Sequence, residues 1–359
     1  MIRSDWRYII ELFAEDGAPL GPVPLPVDWE PARQWTWWRG VRDGGLPPAD
    51  AGTEAFVEPL WHPDLGAPYL RGFRMRLAAA DGSGGAVQPV SEFPKGYFGE
   101  LTRRAVRALV DEGRLAEGAT VRYRVLAYPA EALPGGEPAP RLKIETIATP
   151  LPIIAHPIGA FLEGATAFGP EDAEDMPVFF SPLVVSEAES LARAAGGRET
   201  GGILLGNLYR DPGTRQVFCH VTAQIPAHHT VAETARLTFT PATWAAVRGA
   251  VTLRARHEVW MGWLHFHPLE ALPCRKCPPE RRRVCPAAEG FLSPDDRVLH
   301  RTVFPRAFSL AMVLTEAGTG DLRRTLFGWR RGLLARRGFH LLREAVQVPA
   351  GAPHLPRQE

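Results

Sequence analysis

His265 and His267 stand one residue apart at the end of the apolar run VWMGWLHFHP. In an extended strand, residues i and i+2 point to the same face, so the two imidazoles are presented together. Neutral imidazole is a common metal ligand. Downstream, SPDD places Ser293 as a helix N-cap, Pro294 at the first helical position and Asp296 at the third. Asp296 then offers a carboxylate at the start of that helix. Two imidazoles and one carboxylate make three ligands, and a fourth position left open is the catalytic rather than the structural arrangement of zinc. Zinc held this way acidifies water and polarises a carbonyl. Such a site also needs a base. Glu199, just before GGILLG, can take a proton from water and pass it to a leaving amine. Taken singly, each element has an ordinary structural explanation: a histidine pair in a core, a capping motif, a glutamate at a helix end.

These residues need elements to hold them. From Val178 the sequence reads as strand (VFFSPLVVS), short helix (EAESLARAAGG), the strand after Glu199, and strand RQVFCHVTAQI. A loop, PAHHTVAETA, leads to strand ARLTFTP and helix PATWAAVRGAVTLRA. The histidine strand, the helix opened by Ser293, and strands AFSLAMVLTE and RTLFGWRRG complete the series. The first part of the chain also mixes the two periods. Strands are expected at 7–14, 72–80, 120–128 and 141–149, and a helix over 97–113, with prolines breaking regular structure after residue 14. The fold class is therefore α+β. The expected organisation is an N-terminal α+β domain (1–150), a Pro/Gly/acidic linker (151–177), a domain carrying the candidate site (178–335) and a basic tail (336–359). Trp29, Trp35, Trp37 and Trp38 form either the core of the first domain or a docking surface for a protein partner.

Together, ETGGILLG, HFHP and SPDD resemble the signature of the JAB/MPN (JAMM) zinc metalloprotease family, over residues 178–332. The resemblance implies a mixed α/β sandwich around a curved sheet. It implies that His265, His267 and Asp296 bind zinc, that Glu199 acts as general base and then acid, and that Ser293 stabilises an oxyanion. Asp295 is passed over for Asp296 by the motif spacing. The implied reaction is hydrolysis of an amide or isopeptide bond at the C-terminus of a ubiquitin-like protein, as precursor processing or deconjugation. The composition is of bacterial type. An extra N-terminal α+β domain is similar to members encoded beside bacterial ubiquitin-like activating and conjugating enzymes, systems that serve antiviral defence. A non-catalytic MPN-type scaffold is the alternative, although scaffolds of that kind lack motif residues that are present here.

The chain departs from the family pattern between the histidines and the serine, where Leu269–Leu292 forms a longer insertion. It holds three of the four cysteines, Cys274, Cys277 and Cys285. Three readings stay open: a second, structural zinc, a reduced or redox-active loop, or recruitment of a thiolate to the first zinc. A closed structural site needs a fourth ligand. His300, Cys219 and the His228-His229 pair are candidates. The insertion and the HHTVAETA loop are both expected to border the cleft, where they could grip an extended substrate tail.

Composition narrows the rest. With 45% hydrophobic and 23% charged residues and a formal net charge of +1, the 359-residue chain has an ordinary globular composition. Bulk electrostatics gives no reason to expect nucleic acid. A zinc-knuckle nucleic-acid binder using Arg281, Arg282 and Arg283 is the weakest reading. Neither a leader peptide nor a membrane span is expected, which makes a cytoplasmic location the default.

Overall fold

Alternation of inward and outward side chains builds the first of two units. The computed structural model describes residues 2–23, 26–48, 53–79, 88–130, 151–227, 230–233, 236–254, 258–268, 289–316 and 322–344, and single positions at 256, 272 and 278. The chain divides into Met1–Pro150 with Arg331–Leu333, and Leu151–Arg330 with Leu334–Glu359. It is of the α+β class.

In the first unit the strands are β1 (Ile2–Arg3), β2 (Trp6–Ala14), β3 (Pro19–Pro22), β4 (Thr53–His62), β5 (Gly66–Ala79), β6 (Val90–Pro94) and β7 (Val121–Pro129). They form a seven-stranded sheet in the order β1-β4-β5-β7-β2-β3, with β6 on β5. Ile10 and Leu12 of β2 pair with Val125 and Tyr123 of β7 and turn one face inward. The helices are α1 (Glu30–Arg42) and α2 (Gly99–Asp111). α1 follows directly on the proline-broken stretch, in a segment to which the sequence reading gives no element. Pro31 sits in its first turn, where proline is tolerated because that N–H has no intrahelical partner. The helix buries Trp35, Trp37 and Trp38, all at most 3% exposed. Trp29 packs edge-on against Tyr8 and Phe73 at 4.9 Å. The tryptophans are therefore core, not a docking surface. The strand expected at 141–149 lies outside the described residues.

The second unit holds β8 (Ile153–Ala155), β9 (Ala165–Phe168), β10 (Val178–Phe180), β11 (Thr200–Arg210), β12 (Val217–Pro226), β13 (Thr230–Glu233), β14 (Arg236–Phe239), β15 (Val259–His267), β16 (Leu310–Glu316), β17 (Leu322–Arg330), β18 (Leu333–Arg337) and β19 (Phe339–Leu342). Its helices are α3 (Gly159–Leu162), α4 (Pro182–Ala194), α5 (Pro241–Arg254) and α6 (Pro294–Val303). Ten strands make one sheet in the order β18-β17-β16-β15-β11-β12-β10-β19-β9, with β8 on β11. β13 and β14 form a separate antiparallel pair.

Central strands of this sheet are apolar on both faces, as expected where helices cover both. Leu204, Leu264, Met312 and Leu314 meet Val184, Val185 and Ala188 of α4 on one face. Ile203, Leu205, Trp263 and Val313 face the other way, into a cluster with Val247 of α5 and Leu299 of α6. His265 and His267 follow Trp263 at even spacing, so they share the face covered by α5 and α6.

Four expectations need correction. Residues 151–177 are not a linker: β8 pairs in parallel with β11, β9 pairs antiparallel with β19, and Phe161 is fully buried. The strands are three and four residues long, too short to stand out against the glycines and prolines around them. Residues 336–359 are not simply a tail, since β19 lies between β10 and β9. VFFSPLVVS is not one strand. Ser181 is extended and Pro182 opens α4, so the helix begins inside the stretch. The PAHHTVAETA loop also contributes β13.

One position fixes the approach of β15 to β16. Gly262 has φ +149°, and a Cβ there would lie 1.8 Å from the Leu310 carbonyl oxygen. It neighbours the bulge between β11 and β15 at Leu204/Leu205. Among the described residues no helix is long and apolar enough to cross a membrane. Gly262→Ala is expected to destabilise the second unit by at least about 1–3 kcal/mol, from strain plus the backbone clash. Equilibrium denaturation measures this, and a loss under 0.5 kcal/mol (about the size of a neutral surface change) would contradict the close approach.

Candidate metal centre

Register brings three segments to one place. Thr200 pairs with Phe266 and Gly201 with His265 in the β11–β15 ladder. One step further along that ladder sets Glu199 opposite His267. Glu199, His265 and His267 are 4%, 2% and 3% exposed. Each offers a ligand atom, and the three atoms lie within 4.8 Å of one another. The third segment is the start of α6. Ser293 Oγ accepts from the Asp296 backbone N–H at 3.1 Å, and Asp296 Oδ2 accepts from the Ser293 N–H at 2.7 Å. This reciprocal capping box leaves Asp296 Oδ1 to face the histidines. It lies 3.3 Å from His265 Nδ1. Asp295, its neighbour, is exposed.

His265 is thus held between two carboxylates. Its Nε2 is 3.1 Å from Glu199 Oε2, and its Nδ1 faces Asp296. Burial works against a charged imidazole here, but the Asp296 and Glu199 carboxylates outweigh it and raise the His265 pKa to about 9. His267 moves the other way. Burial, reinforced by the charge on His265, lowers it to about 3. Burial pushes the Asp296 carboxyl up, yet its contacts with His265 and Ser293 prevail and hold it below the ordinary carboxylate range. The Asp296 and Glu199 carboxylates thus favour the protonated form of His265 in the metal-free protein.

These residues fit a divalent cation. His267 Nδ1 is buried without a hydrogen-bond partner, a costly condition unless something else takes its lone pair. The separation of His265 Nδ1 and Asp296 Oδ1 is 3.3 Å. It is close to the edge of a tetrahedron with bonds of about 2.0–2.2 Å, the zinc–nitrogen and zinc–oxygen lengths. Nitrogen and carboxylate donors suit zinc. Asp296 reaches only His265 in this arrangement, whereas Glu199 groups with both histidines.

Aromatic residues that the motif does not include frame the centre. Trp263 stacks on His265 at 5.4 Å, and Phe291 lies 4.8 Å from His267. Trp263 Nε1–H donates to His300 Nδ1 at 3.0 Å. His300 is fully buried, and burial lowers its pKa to about 3, so it is a neutral acceptor. The sequence held a signal for this: Trp263 precedes His265 by two residues on one strand face, and His300 follows Asp296 by one helical turn. Cys274, Cys277, Cys285 and the His228-His229 pair lie outside the described residues. Cys219 is a free cysteine buried in β12, its thiol pushed up to about 12 by burial.

No family model and no curated protein matches the chain. Among solved structures, a solution structure of a Desulfitobacterium hafniense protein is similar over 47% of this chain and 95% of its own, at 16% identity and TM-score 0.33. A likeness at that level assigns neither fold nor chemistry.

Loading the centre must displace the proton from His265. Zinc binding at pH 7 is expected to release about one proton, and affinity to rise with pH until about 9. Calorimetry in buffers of differing ionisation enthalpy counts the proton. Binding with no proton release at pH 7 would contradict the raised His265 pKa.

Proposed function

We propose that the second unit is a zinc-dependent peptidase or isopeptidase of the JAB/MPN type. Its substrate would be the amide bond after the C-terminus of a ubiquitin-like protein. The observation that carries the reading is the buried convergence of Glu199, His265 and His267, with Asp296 beside His265. The order of motifs supports the same reading, and the ubiquitin-like substrate rests on that resemblance alone. So do a place among activating and conjugating enzymes and a role in antiviral defence.

In this reading His265, His267 and Asp296 hold the metal. Zinc, when bound, supplies Lewis acidity and lowers the pKa of a coordinated water. The rest is the work of the chain. Glu199 Oε takes a proton from the attacking water and delivers it to the leaving amine. Burial keeps this carboxylate from bulk water, so its proton passes to the substrate instead of being lost. The Ser293 hydroxyl uses its oxygen to cap α6, which leaves its hydrogen to donate towards a developing oxyanion. Trp263 and Phe291 wall the histidines and restrict their rotation.

Glu199→Gln is expected to retain zinc and lose hydrolysis of a ubiquitin-like C-terminal fusion by at least about 100-fold. Asp296→Asn should lose zinc itself, measured by metal analysis after dialysis. If Glu199→Gln loses zinc while Asp296→Asn keeps it, the ligand and base roles are reversed. Wild-type cleavage that survives complete metal removal would refute the reading. Ser293→Ala should cost about 1 kcal/mol of stability as a lost cap. It should also lower turnover by about 100- to 1,000-fold as a lost oxyanion donor. A stability loss without a turnover loss leaves Ser293 as a cap only.

A further inference from the structure

Asp296 and His300 stand four residues apart on α6, and Trp263 and His265 two apart on β15. Four helical residues rise about 6.0 Å and two strand residues about 6.6 Å. These steps nearly match, so the two elements meet at two rungs. At the first, Asp296 Oδ1 lies 3.3 Å from His265 Nδ1. At the second, Trp263 Nε1–H donates to His300 Nδ1 at 3.0 Å. The far end of α6 is tied as well, since the carbonyl of its C-cap Phe304 accepts from Trp329 Nε1–H at 3.0 Å. α6 therefore presents His300 as a fixed point.

The second rung acts on the first through ring contact. The Trp263 indole stacks on His265, with ring planes 29° apart. Phe239 stands edge-on to the same indole at 6.2 Å. The χ2 torsion of an aromatic side chain is broad and roughly two-fold, so packing alone does not select one orientation. The bond to His300 does, because it requires the indole N–H to point towards α6. The plane offered to His265 is fixed with it.

Packing does not explain a histidine at position 300. The ring is fully buried, with Trp329 at 5.2 Å and Phe304 at 6.1 Å. Its Nε2 is buried without a hydrogen-bond partner, a costly state that a hydrocarbon side chain avoids. Burial lowers the pKa of this imidazole, so the ring is neutral and Nδ1 can accept. What histidine adds here is an acceptor aimed at Trp263. His300 lies outside the group of side chains that could hold a metal, and it reaches His265 by way of the indole.

We propose that His300 is a positioning residue for His265: by anchoring the Trp263 indole it holds the imidazole in one plane, ready for a metal. The consequence for zinc rests on the peptidase reading; the hold on the ring does not. The test uses the full chain with isotopically labelled histidine, read by NMR. His300→Leu removes the acceptor, His300→Gln keeps one, and Trp263→Phe keeps a stacking ring without the donor. In metal-free protein the His265 ring signals, assigned by their loss in His265→Ala, should form one set in wild type and in His300→Gln. They should double or broaden in His300→Leu and in Trp263→Phe. Zinc affinity, measured by chelator competition, should fall about tenfold in either of these two. The double variant should fall no further, because both changes remove one bond. Thermal melting identifies the variants that fold, and Trp263→Phe carries the test if His300→Leu does not. A single sharp His265 set in the folded variants would overturn the proposal. So would additive losses of zinc affinity, or His300→Gln behaving as His300→Leu. If the His265 signals double as expected but wild type binds no zinc, His300 keeps its role and the peptidase reading falls.

Discussion

Two buried carboxylates facing one imidazole set the terms for the second unit. Charges removed from water are costly unless paired, and losing one partner of a buried pair costs about 3–5 kcal/mol. Glu199, His265 and Asp296 come from three segments that are far apart in sequence, yet each is nearly sealed from solvent. The sheet must therefore bring β11 and β15 into one register, and α6 must begin at one place. An error of one residue in the ladder would turn the histidines towards α4 and leave the carboxylates without a partner. The requirement for a partner acts on the whole unit, because the strands that supply it are also the centre of the sheet.

The same constraint explains why the surroundings are aromatic. Trp263 lies beside His265 and donates to His300, which is buried and neutral. Phe291 packs against His267. Aromatic walls exclude water and lower the local dielectric, which strengthens every interaction inside. They add no charge of their own to the site. Gly262 makes this possible on the other side by letting β15 approach the Leu310 backbone of β16.

Legibility in the sequence followed element length and periodicity. The strands and helices around the centre are long or strongly patterned: β11 has eleven residues, β12 ten and β15 nine. The capping box could be read from Ser293-Pro-Asp-Asp because its hydrogen bonds are local. β8 and β9 could not, since a strand of three or four residues has no measurable period and owes its existence to partners far along the chain. α1 was hidden by flanking prolines and by tryptophans that give no clean helical stripe. The Trp263–His300 bond needed the tertiary fold, because the two residues are 37 apart in sequence.

Asp296 serves two masters. One oxygen closes the first turn of α6 and the other faces His265. Glu199 precedes its strand and has no capping duty. The two carboxylates therefore differ in what their loss would cost the fold. Glu199 can be replaced at the cost of an unpartnered side of His265, whereas loss of Asp296 also frays a helix that covers the core. Substitution is therefore expected to be tolerated at Glu199 before it is tolerated at Asp296.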